Sequence, residues 1–227
     1  MKIPSQSGRV STASIMKTFV LLCAGTCALL LGGCTAYPVA AYPDSTMTRV
    51  SAADLPRGEA PLKLKMEVQW LMNGQAPDTS ALSMQIASPG PDPMVLRNIM
   101  ETAFQQTGVI AISQLDAVGV VKVTINDVSD IAEAINQGVR LGEKWGDGHV
   151  TGKEEMMMSL AIRVGDRSAH SPAVRGAFYS VIAKSRLPDD PRLQPARAVQ
   201  EDLFQQLLIK CLLAMDKDGS LQRLRAR

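Results

Sequence analysis

Histidine is nearly missing from this chain: His149 and His170 are the only two in 227 residues. Neither has another histidine or a cysteine at ligand spacing, so the tetrahedral ligand set of a zinc site is not written here. Asp189-Asp190 sits between prolines and is read as a solvated turn. No metal ligand and no cofactor motif is assigned. Gly-x-Ser-x-Gly, the elbow that exposes a serine nucleophile, does not occur. The Gly-x4-Gly-Lys-Ser/Thr phosphate loop is also missing, and Thr151-Gly152-Lys153 lacks its first half. No catalytic residue is proposed. Cysteine is scarce and badly placed for disulfides, being confined to Cys23, Cys27, Cys34 and Cys211. A strong charge of either sign is absent too, with 24 basic and 22 acidic residues. Lys2, Arg9 and Lys17 precede Cys34 and no acid does, so 21 basic residues face 22 acidic ones beyond it. A chain so near neutral gives no argument for nucleic acid as a partner.

What is present begins with residues 16–34. Met16-Lys17-Thr18-Phe19 opens with a charge, and an apolar run follows from Phe19 to Leu31. The run is shorter than the ~20 residues of a spanning helix and ends in small residues, as a cleaved signal peptide does. Residues 1–15 are polar and lack apolar periodicity, so Met16 is read as the true start. Leu31-Gly32-Gly33-Cys34 resembles the lipobox of bacterial lipoproteins. That resemblance covers residues 16–35. It implies cleavage before Cys34, acylation of Cys34 with palmitate-type chains, and attachment to membrane lipid. In the family's sorting logic an Asp after the cysteine favours the inner membrane. Thr35 stands there, so the resemblance implies the outer membrane, facing the periplasm. On this reading Cys211 is the one thiol left. It lies on the apolar stripe of a helix, where a cysteine is buried and inert.

The expected organisation is a signal peptide over 1–33 and an acylated cysteine with a Pro-rich flexible tether over 34–61. A globular domain over 62–217 and a basic, frayed tail over 218–227 complete it. Tyr37-Pro38, Tyr42-Pro43, Leu55-Pro56 and Ala60-Pro61 are the breaks that suggest the tether. Leu62, Leu64, Met66, Val68 and Trp70 alternate with polar residues, the period of a half-buried strand. Asn73-Gly74 turns the chain. Asp92 and Pro93 then start a helix with Val95, Ile99, Met100, Ala103 and Phe104 on one face, and Gly108 ends it. Val109–Ile112 and Val118–Ile125 read as strands, the second central because it is β-branched. Ser129–Leu141 suggests a short helix, followed by a glycine-punctuated loop or irregular strand. Met156–Val164 and Val174–Ala183 read as an antiparallel pair around a turn at Asp166–Ser171. The methionine run within the first of them is read as adaptable core packing. Val199, Leu203, Phe204, Leu207, Leu208, Cys211, Leu212 and Met215 stripe a final helix over Ala196–Lys217, with Gly219 as its stop.

These elements make one α+β domain. Its sheet is mostly antiparallel or mixed, of about five strands, with two long helices packed on one face. The element order is similar in outline to periplasmic accessory lipoproteins, such as activators of penicillin-binding proteins and the curli-secretion type. That likeness rests on no motif and carries no site. Trp145 and His149, on a loop among glycines and charges, are the candidate contact residues. The expected function is a non-enzymatic binding or accessory module of the cell envelope, with an envelope protein or peptidoglycan as partner. The alternatives are a carrier of a small apolar ligand or lipid and, weakest, a hydrolase built on a histidine. Cys34→Ala is expected to abolish palmitate incorporation and leave unprocessed or soluble protein. Unchanged acyl labelling in that variant would refute the lipobox reading.

Overall fold

The sheet is built from strands of very different length, and the longest sets its axis. A computed structural model describes residues 38–56, 60–76, 92–128 and 148–225. The strands are β1 (Val39–Pro43), β2 (Leu62–Met72), β3 (Ile110–Ile112), β4 (Gly119–Asp127), β5 (His149–Val164), β6 (Arg167–His170), β7 (Val174–Ala183) and β8 (Gln194–Pro195). Helix α1 (Pro93–Thr107) lies between β2 and β3. Helices α2 (Ala196–Lys217) and α3 (Ser220–Arg225) close the chain. The strand order is β3-β2-β4-β5-β7-β1-β8, with β6 beside β5. β2 pairs in parallel with β3 and β4, and the remaining ladders are antiparallel. Parallel neighbours need a crossover, and α1 supplies it between β2 and β3. The fold class is thus α+β with a mixed sheet and two long helices.

Local chemistry explains the helices. The Asp92 carboxylate accepts from the Met94 N–H at 2.7 Å, Pro93 follows, and Gly108 ends α1 in the left-handed region at φ 66°. Leu96, Ile99, Met100, Ala103 and Phe104 are buried on its inner face. α2 buries all eight residues of the expected stripe and adds Gln206 and Ile209. It packs on β1, β5 and β7 and lies beside α1. Close approach needs Gly176, because a Cβ there would meet Leu203 Cδ1 at 2.6 Å and Met47 Sδ at 3.0 Å. Trp70 meets Phe204 edge-on, with centroids 6.4 Å apart and planes at 76°. The buried Trp70 Nε1–H has no acceptor among the described residues.

The structure departs from the expected layout in four places. First, the segment expected as flexible tether contains β1, flanked on both sides by ladders from β7 and β8. Ala41 and Leu55 are in the core. The buried Gln206 side chain holds Val50 at both ends, accepting from its N–H at 2.8 Å and donating to its carbonyl at 3.1 Å. Pro38 and Pro43 bound the strand instead of breaking it, as prolines at strand ends do.

Second, β5 is a strand from His149 onward, so the expected loop ends there. Third, the turn at Asp166–Ser171 carries β6. Between β6 and β7 the register against β5 slips by one residue, with Ala161 opposite His170 but Met158 opposite Val174. Ser171 fills this bulge: its hydroxyl accepts from the Leu160 N–H at 2.9 Å, and its own N–H donates to the Leu160 carbonyl at 2.9 Å. Fourth, the tail expected to fray forms α3, with Leu221 and Leu224 buried. Arg225 donates to the Val109 carbonyl at 3.1 Å. The helix expected over 129–141, Trp145, Cys34 and the terminal Arg227 lie outside the described residues.

Gly176→Leu is expected to push α2 off β7 and lower the urea midpoint. The cost should match an overpacked core site, roughly 1–3 kcal/mol. An unchanged midpoint would show that α2 does not depend on this approach.

Candidate functional site

The two histidines are far apart. His149 is the first residue of β5 and pairs with Ala183, whereas His170 pairs with Ala161 near the other end of the same strand. The positions 149 and 161 are separated by about 40 Å of strand at ~3.3 Å per residue, so the two side chains cannot share a reacting group. Both are exposed. Among the described residues, no three His, Cys, Asp or Glu side chains are grouped as a metal site would require. Cys211 is buried with its thiol directed at the Met158 carbonyl at 3.4 Å, and burial pushes its pKa up to about 11. It is a packed thiol with little thiolate at neutral pH.

Two surfaces carry organised polar chemistry. One is the sheet face opposite the helices. There Tyr42 on β1 and Tyr179 on β7 are register partners, stacked with centroids 5.0 Å apart. The Arg192 guanidinium lies over Tyr42, 4.4 Å from the ring centroid. Lys153 of β5 stands opposite Tyr179 in register and bonds Glu155 at 2.7 Å. Glu155 also pairs with Arg175. Lys153 and Arg175 hold Glu155 below the usual carboxylate range. Arg192 pulls Asp190 down to about 2 through paired hydrogen bonds. Every charge named on this face has its counter-charge. Exposed pairs of this kind are worth only about 0–1 kcal/mol each, so they order the face and do little to hold the fold.

The second surface is a groove of about 340 Å³ between α1 and α2. Asn98, Thr102 and Gln106 line the α1 side, and Arg197, Glu201 and Gln205 line the α2 side. Each trio is spaced by four residues, which puts it in one row along its helix. Arg197 is held by Glu201 at 2.7 Å, and at the rim Arg49 is held by Asp202 at 2.6 Å. The Thr102 hydroxyl donates back to the Asn98 carbonyl at 2.9 Å. Asn98 and Gln106 are exposed and Gln205 is half-buried, so their amides are open to solvent. The groove therefore presents solvated donors and acceptors along two facing rows, in contrast to the ion-paired sheet face. Its floor offers only Ile99, Ala103 and Ala198 to an apolar ligand. These rows were not read from the sequence, because polar residues flanking an apolar stripe look like ordinary solvated helix faces. Their significance appears only once α1 and α2 are neighbours.

A titratable group lies near the end of the sheet on the helix side. Glu154 accepts from the Ser180 hydroxyl across β5 and β7. Burial pushes its pKa up, the Ser180 bond opposes that, and Asp127 adds to the rise. A carboxyl whose folded pKa is raised stabilises the fold below its ordinary value of ~4.3. That contribution is lost as pH rises through the folded value. Glu154→Gln keeps an acceptor for Ser180 and removes the buried charge. It is expected to be more stable than the parent at pH 7, with the difference closing as pH falls below the ordinary carboxylate range. Denaturation midpoints across pH check this, and a destabilised variant at pH 7 would contradict it.

No protein-family model matches the chain and no curated protein matches its sequence, so the groove and the sheet face are interpreted from their own chemistry.

Proposed function

We propose that this chain is a lipid-anchored, non-enzymatic binding module of the cell envelope, taking a polar partner in the groove between α1 and α2. The observation that carries the reading is the pair of facing rows, Asn98/Thr102/Gln106 and Arg197/Glu201/Gln205, which set three side-chain amides along one groove. Side-chain amides and hydroxyls match the hydrogen-bonding groups of a peptide backbone or a glycan, the chemistries of an envelope protein and of peptidoglycan. The lipobox at Leu31–Cys34 supports the anchor, with Cys34 bearing the lipid. Among the described residues no helix is long and apolar enough to cross a membrane.

A photo-cross-linking residue at Gln106 or Gln205 in cells tests the proposal. The expected result is one stoichiometric adduct, a single envelope protein or a peptidoglycan fragment, lost when Asn98 and Gln205 are both replaced by Ala. Adducts that form equally from Arg175 on the sheet face would move the site there. No adduct from the groove positions would refute it.

A further inference from the structure

The distance between the proposed anchor and the fold is much shorter than the sequence suggests. The Pro38 carbonyl accepts from the Ala183 N–H at 3.0 Å, and Val39 is already in register with Ile182. Cys34 stands four residues before Pro38. At ~3.3–3.6 Å per residue that stretch reaches at most about 14 Å. A lipid on Cys34 would therefore keep the Val39 end of the sheet within about 14 Å of the attachment point.

That end has the composition for such a place. Val39 pairs with Ile182, and Ile182 pairs with Val150, which makes one apolar row across β1, β7 and β5. All three belong to the strand positions facing the helix side, but near the end of the sheet. Val39 is 48% exposed and Ile182 36%. Single exposed apolar residues are ordinary on a protein surface, but two in register beside an attachment point are not scattered. His149 pairs with Ala183 at the same end, and Lys184 and Arg186 follow directly, all three exposed. Basic residues with apolar neighbours suit the surface of an anionic leaflet, with the cationic tips at the phosphates and the apolar side chains just beneath.

We infer that the Val39–Ile182–Val150 row, with His149, Lys184 and Arg186, is a seat on the phospholipid bilayer that fixes how the anchored domain stands. The acyl chains supply the affinity, and the seat supplies the orientation. The inference rests on the lipid-anchor reading. It goes beyond that reading by naming the face that meets the membrane.

The test uses the acylated protein in vesicles of phosphatidylethanolamine and phosphatidylglycerol that contain a lipid with a nitroxide headgroup. A fluorophore is attached to Ile182→Cys or, as the control, to Leu115→Cys. Leu115 is fully exposed between β3 and β4. The register of Leu64, Gly119 and Val164 puts that loop near the opposite end of the sheet. Cys211 is buried and stays unlabelled. Quenching is expected to be several-fold stronger at position 182 than at 115. Adding Lys184→Glu and Arg186→Glu should reduce the quenching at 182, while acylation stays intact. Equal quenching at 182 and 115 on protein with palmitate on Cys34 overturns the seat and leaves the anchor standing. Absence of palmitate on Cys34 overturns both.

Discussion

Everything else in this fold depends on α2 lying flat against the sheet. Leu207, Leu208, Cys211 and Leu212 have no exposed surface, and Leu203, Phe204 and Met215 are equally deep. Burying one such side chain contributes about 1.5–3 kcal/mol. The stripe as a whole therefore outweighs the surface ion pairs severalfold. The close contact is possible because Gly176 has no Cβ to hold Leu203 away. From that position α2 organises the remainder. Phe204 receives the edge of Trp70 from β2. Gln206 clamps the backbone of Val50, which draws residues 44–56 into the domain. Cys211 abuts the Met158 carbonyl. The thiol behaves as a small apolar side chain here, and its displaced pKa is a consequence of packing.

How much was legible in the sequence follows from how each element is stabilised. α1, α2 and β2 have strong periods and clear ends, and their stripes can be read without knowing what they face. β1, β6, β8 and α3 have two to six residues each. Elements this short show no reliable period and exist only through their partners. Val39–Pro43 looked like tether because prolines punctuate it. The first seven residues of β5 looked like loop because Gly152, Lys153, Glu154 and Glu155 interrupt any apolar pattern. Yet that stretch pairs with β7, residue for residue. His149 is exposed at the end of a strand, and its placement on β5 came only from the structure. The groove was invisible because a hydrophobic pattern says which residues go in, and says nothing about which solvent-facing rows will confront each other.

The position of β1 also changes what an anchored domain can do. As a flexible tether, residues 34–61 would span about 90 Å at ~3.3 Å per residue, enough to search well away from a bilayer. With Val39 in the sheet, the reach is shorter by more than sixfold. The direction of α2 then matters. Its start lies beside Ala40, through the Ala40–Pro195 pair. Leu203 and Leu207 lie over Gly176, and Cys211 reaches Met158. α2 therefore runs away from the Val39 end, along β5. Arg197, Glu201 and Gln205 fall in its first ten residues, within about 15 Å of its start at ~1.5 Å rise per residue. Of that row Arg197 therefore lies nearest the Val39 end, and Gln205 sits further along, level with Gly176. Under the anchor proposed above, a groove that begins at this end would meet its partner close to the membrane surface. On that proposal the partner that fits is one that lies along the surface or emerges from it, because at most about 14 Å of chain would separate Cys34 from the sheet.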